Sequence, residues 1–114
     1  MNSEIRRVIL VIEGGTELRN FGREILQKNF QVVEANNGDD GLAMARQIVP
    51  DLILCDTELP GLSGLDVCGV LKSDVATDHM SVILLGAKKE EELRALSVRA
   101  DDFVLQPFDQ QLLT

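Results

Sequence analysis

The sequence contains no tryptophan and no tyrosine, and only four phenylalanines in 114 residues. It also offers no nucleophile–base pair beyond its carboxylates, so a small enzyme or cofactor binder has little support. Basic residues are in deficit, with 11 Lys and Arg against 19 Asp and Glu and a net charge of -8. A nucleic-acid surface needs a basic patch, so this domain is not expected to bind DNA or RNA itself. A DNA-binding domain elsewhere in a longer chain is not excluded by this. The two cysteines, Cys55 and Cys68, form no CxxC and have no companion His pair. They read as reduced thiols of a cytoplasmic protein, where disulfides are rare. The single histidine, His79, lies in a polar stretch and is expected to be solvated. No signal peptide is apparent, and no run approaches the ~18 apolar residues of a membrane span.

What is present is organised around one stretch, Asp51-Leu52-Ile53-Leu54-Cys55-Asp56-Thr57-Glu58-Leu59-Pro60-Gly61-Leu62-Ser63-Gly64. Its continuous apolar run predicts a strand buried on both faces, the habit of parallel sheets. Asp56 follows at the carboxyl end, where α/β sheets gather their ligands. Pro60-Gly61 and Gly64 then mark a loop before the next helix. A carboxylate at that rim suits chemistry, and it equally suits capping the next turn.

Similar apolar runs occur at Arg6–Ile12, Gln31–Ala35, Val82–Leu85 and Asp102–Leu105. Helical spacing connects them. Thr16 is a candidate N-cap, followed by Leu18, Phe21, Ile25 and Leu26 on one face, with Gly22 a costly residue inside. Leu42, Ala45, Ile48 and Val49 form the next stripe, stopped by Pro50. Leu65, Cys68 and Leu71 place a helix over about Gly64 to Lys72. Lys88-Lys89-Glu90-Glu91-Glu92 opens another as a solvated face, with Leu93 and Leu96 inward. A last helix is expected to start at Asp109 and to be cut short at Thr114. The expectation is therefore one domain over 1–114, part of a longer protein. Strands and helices alternate through the chain, which predicts right-handed crossovers and a parallel sheet with helices on both faces.

Four strand ends bring Glu13-Gly14, Asp56, Gly86-Ala87 and Gln106-Pro107 to one rim. In order and spacing, VILVIEGGTELR, ANNGDDGLAMA, PDLILCDTELPGLSGLDVC, VILLGAKKEEE and ADDFVLQPFD resemble the receiver domain of two-component response regulators. The resemblance covers nearly the whole chain, and its central segment is the most specific. It implies a flavodoxin-like, doubly wound five-stranded parallel sheet in the order 2-1-3-4-5. It further implies that Asp56 stands where the family accepts a phosphoryl group from a histidine kinase. The implied cofactor is Mg²⁺, held weakly by Glu13, Asp56 and the backbone carbonyl of Glu58. Pro60 and Gly61 correspond to the loop beyond the acceptor.

Three positions depart from the family pattern. Gly14 stands for the second acid, Gly86 for the Ser or Thr after the fourth strand, and Gln106 for the Lys after the fifth. Phe103 matches the aromatic that moves when the family switches, and it is equally a core residue by spacing. Losing one oxyanion donor typically costs 10²–10³ in rate, so slow phosphorylation at best is expected. With less compensation at the rim, like charges are also expected to raise the pKa of Glu13 or Asp56. Two readings follow. One is a poorly phosphorylated pseudo-receiver that acts by protein interaction; the alternative is a working Mg²⁺-dependent phosphoacceptor controlling an output domain. Partners implied are a histidine kinase or another signalling protein, with self-association expected if the last helix is missing.

Overall fold

Short runs of β-branched and aliphatic residues cannot satisfy their backbone alone, so they pair into a sheet. The computed structural model describes residues 7–15, 23 and 26–106. Within them β1 (Val8–Ile12), β2 (Gln31–Ala35), β3 (Leu52–Asp56), β4 (Ser81–Gly86) and β5 (Asp102–Leu105) form one parallel sheet. Its order is β2-β1-β3-β4-β5, as the resemblance implied. The helices described are α1 (Gly38–Ile48), α2 (Gly64–Lys72) and α3 (Glu91–Ser97). Of the helix expected from Thr16, Arg23 and Leu26 are described and helical, while Thr16, Leu18, Phe21, Gly22 and Ile25 lie outside the described residues. So does the start expected at Asp109.

The core is one cluster joining Leu10, Ile12, Ile53, Cys55, Val82 and Leu84 of the strands to Leu42, Ala45, Leu65, Cys68, Leu71 and Ala95 of the helices. In β3 and β4 burial alternates instead of running continuously: Ile53 and Cys55 are fully buried, Leu52 and Leu54 only partly. The better-covered face is the one packed against α1, α2 and α3. Both cysteines are free and buried in this core, as small hydrophobes. Burial pushes the Cys68 thiol up to about 11, which leaves it unreactive.

The helix starts follow local chemistry. The Asn37 side chain accepts from the Asp40 amide at 2.8 Å, and Ser63 Oγ accepts from the Asp66 amide at 3.1 Å. Two expectations about helix faces need correction. Val49 is exposed, because Pro50 ends α1 and Val49 turns into the left-handed region at φ 53°. Leu93 and Leu96 are exposed by 76% and 67%, and Ala95 is the buried residue of α3. Glu91 is anchored inward by hydrogen bonds, so the residue four positions on shares its face and the leucines do not. His79 is exposed, as expected for a polar connection.

Opposite the carboxyl rim, Lys72 ties three elements together. Its Nζ donates to Asp101 Oδ2 and to the Met80 carbonyl, both at 2.8 Å, and Asp101 Oδ2 also accepts from the Val82 amide at 2.7 Å. Partial burial pushes the Asp101 carboxyl upward, but Lys72 and the Val82 amide outweigh this and hold it below its ordinary value.

Candidate functional site

Each residue at the rim is delivered by a strand end. Ile12 pairs with Cys55 across β1 and β3, Asp56 with Leu85 across β3 and β4, and Gly86 with Leu105 across β4 and β5. Glu13, Asp56, Gly86 and Gln106 therefore converge, as their order in the chain implied. Gly14, Gly15, Asp56, Glu58, Pro60 and Ser63 line an open cleft beside β3. Gly61 makes the turn of this loop at φ 75°.

Asp56 is half-buried and Glu13 fully buried. Asp56 Oδ1 accepts from the Glu58 amide at 3.0 Å, which fixes the loop against the strand end. Burial raises the Asp56 pKa above its ordinary value. The Glu58 amide and the Gln106 side chain pull it back, and the carboxylates of Glu58 and Glu91 push it further up. The expected direction holds, but desolvation leads and the like charges come from Glu58 and Glu91.

That shift has a stability consequence. A carboxyl whose folded pKa is raised favours folding while protonated, below about 3.8, and loses this contribution as pH rises through the folded value. Asp56→Asn should therefore melt higher than wild type at pH 7, with the gain vanishing below about pH 3.8. Thermal melts across that range check it; a lower melting point at pH 7 would contradict it.

The three departures have distinct geometry. Gly14 brings no carboxylate; it is exposed at the cleft, and a Cβ there would sit 3.2 Å from Pro60 Cδ, so the loop beyond β3 approaches it on one side. Gln106 turns its amide to the Leu85 carbonyl at 3.4 Å and brings no cation. At Gly86 a Cβ would lie 2.3 Å from Cε1 and Cζ of Phe103 and 2.9 Å from Glu91 Oε1. The Phe103 ring thus fills the space a side chain at position 86 would need. Phe103 packs against the core from there, so its two readings, core residue and switch aromatic, meet in one position.

Glu91 was absent from the expected site. Its Oε1 accepts from Thr57 Oγ1 at 3.0 Å, Ala87 N at 3.1 Å and Lys88 N at 3.2 Å. One sequence signal was available, the spacing of three residues from Lys88 to Glu91, which suits a side chain reaching back over a helix start.

The residues present do not fit a divalent cation well. Among the described residues, no group of three His, Cys, Asp or Glu side chains is arranged to hold a metal. Gly14 leaves Glu13 and Asp56 without the further acid a hard cation favours.

A family model described as the response regulator receiver domain matches residues 9–114. The chain belongs to that family. This receiver is 36% identical to hybrid signal transduction histidine kinase D of Dictyostelium discoideum, over 98% of the chain and 7% of that protein. It is 39% identical to the phosphate regulon transcriptional regulatory protein PhoB of Klebsiella pneumoniae, over 94% of the chain and 48% of the relative. The chain thus spans less than half the length of either relative. A response regulator structure from Chloroflexus aurantiacus superposes with a TM-score of 0.86 at 20% identity, covering 96% of this chain and 92% of that one. The last likeness speaks for the fold. Receiver domains are signalling modules of two-component systems, and that is the role of this one. No helix among the described residues is long and apolar enough to cross a membrane.

Proposed function

We propose that this receiver works mainly as a protein-interaction module whose state does not depend on phosphorylation of Asp56. The observation that carries this reading is the Phe103 ring over Gly86. Allosteric switching needs a contact that differs between two states. Here position 86 has no side chain to reach a phosphoryl oxygen, and the ring already fills the space beside it. Gln106 offers a donor without charge, so electrostatic stabilisation of a transferring phosphoryl group is weakened as well.

The partner is a histidine kinase or another cytoplasmic signalling protein, or an output domain alongside the receiver. The domain itself performs no enzymatic reaction. With 19 acidic and 11 basic residues, it does not contact nucleic acid. The second reading, a working phosphoacceptor with Mg²⁺ held by Glu13, Asp56 and the Glu58 carbonyl, is favoured by the placement of Asp56 alone. Asp56 stands at a strand end beside an open cleft, with its loop already anchored.

Magnesium binding separates the two. Titration with Mg²⁺ to millimolar levels should leave the amide resonances of residues 13, 14, 56, 57 and 58 nearly unmoved. A saturable shift of those amides at low millimolar Mg²⁺ would support the second reading instead.

A further inference from the structure

The charge run that opens α3 contains three consecutive glutamates, and only Glu91 turns into the protein. A carboxylate has two oxygens able to accept several hydrogen bonds. Glu91 uses one of them for three donors from two separate loops. The Ala87 and Lys88 amides belong to the loop after β4, and the Thr57 hydroxyl belongs to the loop after β3, next to Asp56. Thr57 is buried, and its own amide donates to the Leu85 carbonyl at 3.0 Å. The same Glu91 oxygen borders the space over Gly86 that the Phe103 ring fills.

We infer that Glu91 is a positioning residue, an internal anion that clamps the loop after β4 against Thr57 and keeps Phe103 over Gly86. The contact that draws the two loops together is made within the chain, so no incoming group is needed to make it. Charge-assisted hydrogen bonds are about twice as strong as neutral ones, and this cluster has three on one atom. The inference rests on the proposed function in treating the switch as preset, and it names the residue that presets it.

A glutamate serving only to cap α3 would need the two amides alone. The bond from Thr57 crosses from another strand and is the part a cap does not require. It also explains why α3 buries Ala95 and leaves Leu93 and Leu96 in solvent.

Hydrogen exchange and NMR on the full chain test this with Glu91→Ala, Glu91→Gln and Thr57→Val. In Glu91→Ala, exchange at the Ala87 and Lys88 amides should speed up about tenfold or more relative to the core amides of β3. The Phe103 ring resonances should shift with it. Glu91→Gln keeps an oxygen that can accept all three bonds but loses the charge that strengthens them, and should fall between wild type and Glu91→Ala. Thr57→Val keeps the volume and removes the hydroxyl; it should loosen the same two amides and move the same ring, by less. Thr57→Val with unchanged exchange at Ala87 and Lys88, or Glu91→Ala with unmoved Phe103 resonances, would overturn the clamp and leave Glu91 a helix cap. A phosphoryl adduct on the wild-type chain would count against the proposed function, while these exchange rates would still decide on Glu91.

Discussion

Gly64→Ala should lower stability by about 3 kcal/mol, on the order of 10 °C in melting temperature for a domain of this size. In an ordinary helix the same change gains about 1 kcal/mol, because alanine is the better helix former. Gly64 is not ordinary. A Cβ there would lie 1.9 Å from the Asp56 carbonyl oxygen, 2.7 Å from its carbon and 2.9 Å from Thr57 Cα. All three are backbone atoms at the end of β3, and backbone cannot swing aside as a side-chain tip can. The Gly64 amide also donates to the Thr57 carbonyl at 3.0 Å, so the start of α2 is pinned at that approach. To admit the methyl, α2 must lift away from the strand end that carries Asp56. The clash therefore outweighs the propensity gain. A thermal melt of the variant checks it; a melting point within about 2 °C of wild type would show that α2 relaxes freely.

Gly86→Thr should turn the Phe103 ring out of its place and cost about 1–2 kcal/mol. Threonine is the better strand former, which works in its favour. Against that, its Cβ would meet Phe103 ring carbons at 2.3 Å and Glu91 Oε1 at 2.9 Å. The ring is a movable end, so the strain is relieved by rotating it toward solvent at the cost of its packing. The two positions should then be coupled. With Phe103→Ala already in place, Gly86→Thr should cost at least about 1 kcal/mol less than it does in wild type. A double-mutant cycle by chemical denaturation measures this. Additive losses would mean that the ring and position 86 do not compete for space.

The fold was legible because its signals are local and repeated. Each apolar run ended in glycine or a polar residue (Glu13, Asn36, Asp56, Gly86, Gln106), and α2 could be bounded at Gly64 and Lys72 from Leu65, Cys68 and Leu71 alone. The convergence of Asp56, Gly86, Phe103 and Gln106 was legible too, through the resemblance and the rule that places sites at strand carboxyl ends. What escaped depends on contacts distant in sequence. Glu91 is one of three identical neighbours; its spacing from Lys88 is a weak local cue, and its bond to Thr57, 34 residues away, is what ties it to the site. The rotation of α3 follows from that bond, so periodicity alone puts Leu93 and Leu96 on the wrong face. Lys72 closes α2, and nothing in the local sequence signals its burial, which depends on Asp101, 29 residues further on. The leading cause of the Asp56 shift escapes for the same reason, since burial of a side chain cannot be read from its neighbours in the chain.

Intact mass after incubation with Mg²⁺ and a small phosphodonor, beside an Asp56→Asn control, tests the central claim most directly. The wild-type chain should keep its unmodified mass over a period in which a competent receiver is fully converted, because Gly14, Gly86 and Gln106 remove the groups that stabilise the transfer. A gain of one phosphoryl group that depends on Mg²⁺ and is absent from the Asp56→Asn control would contradict it. That result would make this domain a working phosphoacceptor despite the ring over Gly86.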